Sequence, residues 1–426
     1  MKIKYLTHSC VIVEVNNKTI LMDPWLSGPC WGGNIWHYPP PVTKPSDLKD
    51  IDYIYFSHAH DDHLHKESID LLPKEIFNCE IIIPNFGVKY FSKTLESYGF
   101  KNITEYTEKD DINIDDNTKL KIFINDVGDH DSSLLIKDNK SSKNIFFQTD
   151  NLMSVDEAQR IGKNYNIDVL FNITVLTGIY PAFYCFDINQ VKKLADKKVD
   201  SGFDYSIQIA NAINPKYVVP YASDLCYLGD LFFANNLHRV DKNKFKDATD
   251  KNNCKFETKI MGPEDEIIVN QNEIKFNLKE HDFEGENLSA YASSMRKEVS
   301  KRYIEETKYE DKNLSDDINL FINSLNNLAN KWSSGNFKVL WNIISIDGTN
   351  TYIGQNLPFN AEFVEEDWDY DLWIEVPSYR LQRLINKDYA MGILTFQNGS
   401  IRCKRVKSNF SDTEKNFWDW TMQLRF

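Results

Sequence analysis

The sequence has no C-x-x-C pair, no internal repeat and no low-complexity tract, and no uncharged apolar run nears the roughly 18 residues of a membrane span. Its seven cysteines (Cys10, Cys30, Cys79, Cys185, Cys226, Cys254, Cys403) are odd in number and widely scattered. That pattern excludes a disulfide framework and a cysteine metal cluster, and predicts reduced, buried thiols. The opening residues meet Thr7 and His8 before a signal-peptide core can form, so a soluble, cytoplasmic chain with no membrane partner is expected. Positive charge is in short supply. Lys and Arg number 49 against 63 Asp and Glu, a net charge of −14. This argues against a nucleic-acid polymer as partner, while a local basic pocket could still take a small anionic substrate.

The chain has 426 residues, 42% hydrophobic and 26% charged, which is globular composition at a length suited to two or three domains. Up to residue 150 it reads mainly as short strands: 2–15 and 19–25 as hairpin partners around Asn16-Asn17, then 51–56, 81–84, 119–124, 133–137 and 145–149. Residues 67–72 look like one or two helical turns. Helical spacing follows over 155–165 and 187–197, with buried strands at 168–174 and 217–221. A boundary near residue 280 separates a domain over 1–280 from a second over 281–426. In the second, 288–305 and 316–332 are helical, the latter with Ser315 as N-cap. Strands are expected at 338–347, 370–376, 391–396 and 401–406, and a closing helix at 413–425. The aromatic stripe Trp368, Tyr370, Trp373, Trp418 and Trp420 reads as core. A lid over the site or a homodimer interface is an equal reading of this second domain.

The chemistry lies in Ser57-His58-Ala59-His60-Asp61-Asp62-His63, where four of the nine histidines (His58, His60, His63, His65) fall within eight residues. A strand running into a loop can aim His58 and His60, two apart, at one point. Asp62 and His63, on the next turn, can aim at a second point. Imidazoles and carboxylates without thiolate suit zinc, iron or manganese. His65 and Lys66 read as the solvated face of the short helix.

This motif, with Thr7-His8-Ser9-Cys10 and Leu21-Met22-Asp23-Pro24-Trp25, resembles the metallo-β-lactamase superfamily. The resemblance implies an α/β fold, the αβ/βα sandwich, followed here by a C-terminal α+β domain of sterol-carrier-like character. It also implies two divalent metal ions. His58, His60 and a later histidine would hold the first, Asp62 and His63 the second, and Asp150, ending Phe146-Phe147-Gln148-Thr149-Asp150, would bridge them. His130 in Val127-Gly128-Asp129-His130-Asp131 is the candidate third ligand, with Asp129 and Asp131 as runners-up. The superfamily's last histidine is absent after 217–221, where Asp224 or water would substitute; His238 reads as a surface residue.

The runs Asp23-Pro24-Trp25-Leu26-Ser27-Gly28-Pro29, Trp31-Gly32-Gly33, His37-Tyr38-Pro39-Pro40-Pro41 and Val219-Pro220-Tyr221-Ala222 look like those of the CMP-N-acetylneuraminate hydroxylase branch. That branch carries a Rieske iron–sulfur domain with C-x-H and C-x-x-H pairs. Here no cysteine lies two residues before a histidine, so an oxygenase would draw on a separate electron-transfer protein. Two expectations follow. The first is a diiron oxygenase acting on a nucleotide sugar or other anionic metabolite. The second is a zinc or manganese hydrolase of a lactone, ester or phosphodiester, with Asp61 orienting the nucleophile. A closed structural zinc site is disfavoured by the surplus of ligands. His8, Trp25, Trp31, His37, Tyr180 and Tyr184 are the candidate substrate contacts, with packing as the competing reading for each.

Overall fold

Alternating apolar residues along short strands build the two sheets that carry the site. Ile3 and Tyr5 of Lys2–Thr7, with Val11 and Val13 of Cys10–Val15, pack against Leu134, Ile136, Phe147 and Phe171 of a second sheet. All of these side chains are excluded from water. The computed structural model describes the chain apart from residues 126–129, 175–179, 185–186, 310, 390–391, 398–399 and 406–411.

The first sheet has eight strands in the order Ile274–Asn277, Glu266–Val269, Lys2–Thr7, Cys10–Val15, Lys18–Met22, Tyr53–Tyr55, Glu80–Pro84, Ile103–Tyr106. The second has seven, in the order Glu257–Thr258, Tyr217–Tyr221, Val169–Ile173, Lys143–Phe147, Asp131–Asp138, Thr118–Asn125, Ile112–Asn113. On the outer face of the first sheet, Ile54, Phe56, Ile81 and Ile83 pack with Ile69 of the helix Lys66–Asp70 and with Phe91 and Leu95 of Tyr90–Ser97. On the outer face of the second, Phe146, Leu170 and Val218 meet Ala158 and Ile161 of Val155–Tyr165 and the inner stripe of Ile188–Ile213. The result is four layers, helix–sheet–sheet–helix: an αβ/βα sandwich.

Beyond Asn277 the texture changes. A third sheet, Ala361–Phe363, Asn350–Leu357, Phe337–Ile344, Leu372–Pro377, Arg402–Arg405, is backed by the helices Leu314–Ala329, Ser378–Ile385 and Asp412–Thr421. Phe321, Leu325, Trp341, Ile374, Leu381, Phe417 and Trp420 form its core, whereas Trp368, Tyr370, Trp373 and Trp418 are only partly buried. Arg380 joins the two units. Its Nη1 donates to the Gly32 carbonyl at 2.7 Å and its Nη2 to Asn34 Oδ1 at 3.2 Å, while Glu306 of its own unit pairs with Nη2 at 2.8 Å. Among the described residues no helix is long and apolar enough to cross a membrane.

Several local expectations change. Residues 2–15 are two strands, because the chain reverses at His8-Ser9 with His8 at φ 47° and the pairing register slips between Tyr5 and Thr7. No Gly, Pro or Asn marks that turn. Residues 393–397 form a helix rather than a strand, with Ile393 and Phe396 three apart on its buried side, while Met391 lies outside the described residues. The helix expected over 187–197 continues to Ile213. Asn313 rather than Ser315 precedes Leu314–Ala329. The polar strand Asn350–Leu357, which has no strong apolar pattern, is set by eight-residue pairing with Phe337–Ile344.

Candidate metal centre

Parallel strands leave their carboxyl ends on one side of a sheet, and loops leaving those ends converge. Tyr53–Tyr55 runs parallel to both its neighbours, and Lys143–Phe147, Val169–Ile173 and Tyr217–Tyr221 run parallel to one another. The first strand delivers Ser57 and His58. A tight turn, with the His63 and Leu64 amides bonded to the His60 carbonyl at 3.0 and 2.8 Å, then presents Asp62 and His63. Thr149, at φ 53°, turns the chain so that Asp150 follows the end of Lys143–Phe147.

Three groups of donor atoms result. His58, His60 and Asp131 form one, His8, Asp62 and His63 a second, and His58, His63 and Asp150 a third that joins them; within each, the donor atoms lie within 4.8 Å of one another. His58 Nε2 is 3.5 Å from Asp131 Oδ1, His8 Nε2 is 3.4 Å from Asp62 Oδ2, and His63 Nε2 is 3.4 Å from Asp150 Oδ1. These separations exceed the usual N–H···O distance of about 2.9–3.0 Å. Two ligands about 2.1 Å from one ion at a tetrahedral angle stand about 3.4 Å apart, which is the spacing seen. His8 Nε2, His58 Nε2, His63 Nε2, Asp62 Oδ1 and Asp150 Oδ1 are buried without a hydrogen-bond partner. Orphaned buried polar atoms are costly, and their convergence fits a pair of metal ions.

The opposite ring nitrogens are tied down. His63 Nδ1 meets Asp23 Oδ2 at 2.8 Å, and His58 Nδ1 meets Ser57 Oγ at 2.9 Å. Asp23 also accepts from the Ser57 amide at 2.8 Å and the Ser57 hydroxyl at 2.7 Å. Such partners fix ring orientation and leave Nε2 for the ion. Burial, then the neighbouring His63, His60 and His8 rings, lowers the pKa of His58 well below the usual imidazole range, so it is neutral and ready to ligate. Burial acts the same way on His63, but Asp150 and Asp23 outweigh it and raise its pKa. Burial raises Asp62, yet His63 and His8 more than offset it and hold the carboxyl low.

Of the expected ligands, the structure brings together His58, His60, Asp62, His63 and Asp150. His130 stands elsewhere, exposed and stacked on Phe86 with ring centroids 5.2 Å apart. Asp131, the first residue of Asp131–Asp138, takes the place beside His58 and His60. Successive side chains leave a strand on opposite faces, so only one of these neighbours can point at the site. Asp129 lies outside the described residues. His8, expected at the substrate, is a donor in the second group.

Asp224 is in none of the three groups. It is buried in an ion pair with Lys242 at 2.6 Å and accepts the His8 amide at 3.0 Å. Asp61 is also turned away, its carboxylate accepting the Trp31 amide at 2.5 Å, and loss of solvent raises its pKa. His65 is buried and caps the helix Lys66–Asp70, with Ser68 Oγ at 2.9 Å from its Nδ1, rather than facing solvent.

Of the aromatic candidates, Trp25, Trp31 and His37 pack close to the donor groups. Trp31 lies against His60 with centroids 5.3 Å apart. Trp25 is sandwiched between His8 at 5.2 Å and His37 at 3.7 Å, and His37 Nε2 meets the Trp25 carbonyl at 3.1 Å. Tyr180 and Tyr184 pack on the C-terminal core, where the Tyr184 hydroxyl donates to Glu414 at 2.7 Å. Asp23, behind His63, and His8, in the second donor group, are the members of the cluster that motif reading left without these places. The one signal for them was their place at the ends of the first and third strands.

Residues 2–149 match the family model described as "Beta-lactamase superfamily domain". The chain is 25% identical over 233 residues to the cytidine monophosphate-N-acetylneuraminic acid hydroxylase of Danio rerio, covering 51% of this chain and 37% of that one. It is 31% identical over 102 residues to that of Asterias rubens, covering 24% and 16%. The matched parts thus span well under half of these relatives' lengths. Among solved structures, a diiron beta-hydroxylase from Streptomyces venezuelae, CmlA, aligns at a TM-score of 0.43 and 15% identity, covering 65% of this chain and 54% of that one. An isothiocyanate hydrolase from Delia radicum gut bacteria aligns at 0.47 and 11%, covering 63% and 99%. At such scores neither bears on the chemistry. The family match is thus confined to residues 2–149, a beta-lactamase superfamily domain, and the chain is similar over part of its length to the CMP-N-acetylneuraminate hydroxylases.

Proposed function

We propose that this metallo-β-lactamase superfamily chain is a dinuclear oxygenase, with iron as its metal. Its substrate would be a nucleotide sugar or another small anionic metabolite, and its electrons would come from a separate donor protein. The observation that carries this reading is the donor set. His58, His60 and Asp131 are two histidines and one carboxylate, and so are His8, His63 and Asp62. Two imidazoles and one carboxylate on one face of an ion, with the other positions open, is the arrangement of non-haem iron oxygenases. Zinc hydrolases can share a two-histidine, one-carboxylate set, and the similarity to hydroxylases tips the choice to iron.

His58, His60 and Asp131 would hold one ion and His8, Asp62 and His63 the other, with Asp150 reaching both. Bound there, iron would supply the one-electron and dioxygen chemistry that no side chain of this cluster can. The chain's own part is orientation and shielding. Asp23 and Ser57 hold the His63 and His58 rings in place. Asp61 holds the Trp31 turn so that the indole covers His60. The similarity to nucleotide-sugar hydroxylases supports the substrate class.

The test is elemental analysis of protein purified in air and anaerobically without added metal, followed by oxygen uptake with a chemical reductant. Two irons per chain, with uptake that depends on Asp131, are expected. Zinc or manganese alone in both preparations would overturn the iron reading and turn the search to esters, lactones and phosphodiesters.

A further inference from the structure

Asp224 lies just beyond the strand Tyr217–Tyr221, yet its carboxylate faces the backbone of His8 rather than the donor groups. Oδ2 accepts the His8 amide at 3.0 Å and lies 2.5 Å from the Tyr5 hydroxyl, while Oδ1 pairs with Lys242 at 2.6 Å. The His8 carbonyl accepts from the Ala222 amide at 3.2 Å and stands 2.8 Å from the same Tyr5 hydroxyl, which has one proton to give. The next carbonyl, that of Ser9, accepts from Tyr221. Lys242 is satisfied in turn, 3.0 Å from the Tyr5 oxygen and 3.0 Å from the Met261 carbonyl. Tyr5, Asp224 and Lys242 are all buried.

This network grips a residue in a backbone conformation it would not choose. His8 sits at φ 47°, a left-handed region that L side chains with a Cβ avoid unless their surroundings impose it. The consequence is directional. In that conformation both ring nitrogens of His8 are buried without a partner, and Nε2 comes within 3.4 Å of Asp62. A histidine continuing the strand would alternate with its neighbours and leave the second group one donor short.

We infer that Asp224, Lys242 and Tyr5 are positioning residues for a metal ligand: they lock the His8 turn so that its imidazole completes the site formed with Asp62 and His63. The inference rests on the reading of His8, Asp62 and His63 as one ion's ligands. The residue that stands where a ligand was expected acts through another. It draws that ligand from the opposite sheet, because the carboxylate comes from the end of Tyr217–Tyr221 and the imidazole from the end of Lys2–Thr7.

The test is titration of the metal-stripped full chain with Co2+, followed by visible absorption and by competition with a chelator. The wild type is expected to bind two Co2+ per chain; one alone would overturn the inference together with the reading beneath it. Asp224→Ala combined with Lys242→Met removes both charges and leaves neither stranded. The expected result is a second Co2+ bound about 10- to 100-fold more weakly, as for loss of an outer-shell partner, with the first site unchanged. A merely structural role would lower the melting temperature without separating the two sites.

His8→Asn, which keeps a residue tolerant of positive φ, is expected to lose the second Co2+. If it binds two as tightly as the wild type, His8 is no ligand and the underlying reading fails. If it loses the second ion while the folded double variant keeps both, the positioning role alone is overturned. Should the double variant not fold, Tyr5→Phe decides, since it deletes one hydroxyl at nearly constant volume. Wild-type affinity at the second site would then refute the proposal.

Discussion

Asp23 and His63 meet at 2.8 Å, carboxylate to Nδ1, with both side chains wholly excluded from water. Asp23 is itself held at φ 41° and receives both the amide and the hydroxyl of Ser57. One carboxylate thus orients His63 directly and His58 through Ser57.

Asp23→Asn is therefore expected to weaken metal binding about 10- to 100-fold, the usual effect of losing a partner behind a ligating histidine. A chelator competition assay on the variant measures this. An unchanged affinity would mean that the His63 ring is held by packing alone.

Asp131 and His130 give a paired test of the first site. Asp131→Ala removes a donor and is expected to cost more than the 10- to 100-fold of an outer-shell change, whereas His130→Ala should leave metal content unchanged. Elemental analysis of the two variants side by side distinguishes them, and the reverse ranking would restore His130 as the ligand.

Acid should destabilise the metal-free protein. Burial, then His8 and His65, lowers the pKa of His37 well below the usual value, as burial does for His58. The unfolded chain then takes up protons first, at about pH 6.5. The stability these two residues contribute is complete above that pH and is lost below it, by up to about 1.4 kcal/mol per pH unit for each. His63, shifted upward, is protonated in both states below about pH 6.5 and adds no slope there. Urea unfolding between about pH 6.5 and 5.5, below the range in which His63 works in the opposite sense, should show the decline, and His37→Asn should shed about half of the slope due to this pair. An identical slope in that variant would refute the assignment.

Gly162 lies where the helix Val155–Tyr165 crosses the end of Ile188–Ile213, and a Cβ there would collide with the Ile213 carbonyl oxygen. Gly162→Ala improves helix propensity but overpacks the crossing, at a net cost of about 1–3 kcal/mol. A melting temperature lower by several degrees with unchanged metal stoichiometry is expected. A rise would show that the helices separate freely.

The local spacing of His58, His60, Asp62 and His63 determined their convergence before any fold was known, because a strand end and one turn hold all four. The buried strand before them and the apolar alternation of the first 150 residues likewise made the sandwich legible. What local spacing could not decide was parity and pairing. His130 and Asp131 differ by one position, and only the register of Asp131–Asp138 against its neighbours chooses which side chain faces His58 and His60. His8 lies 50 residues before the motif and reaches it through a turn without glycine, proline or asparagine, imposed by Asp224, Tyr5 and Ala222. Asp224 carries the right chemistry for a ligand at the right strand end. Lys242, 18 residues further on and folded back beneath it, claims that charge instead. Side-chain type and short spacing are properties of the chain; which of two neighbours faces inward, and which opposite charge reaches a buried carboxylate first, are settled only when distant strands pair.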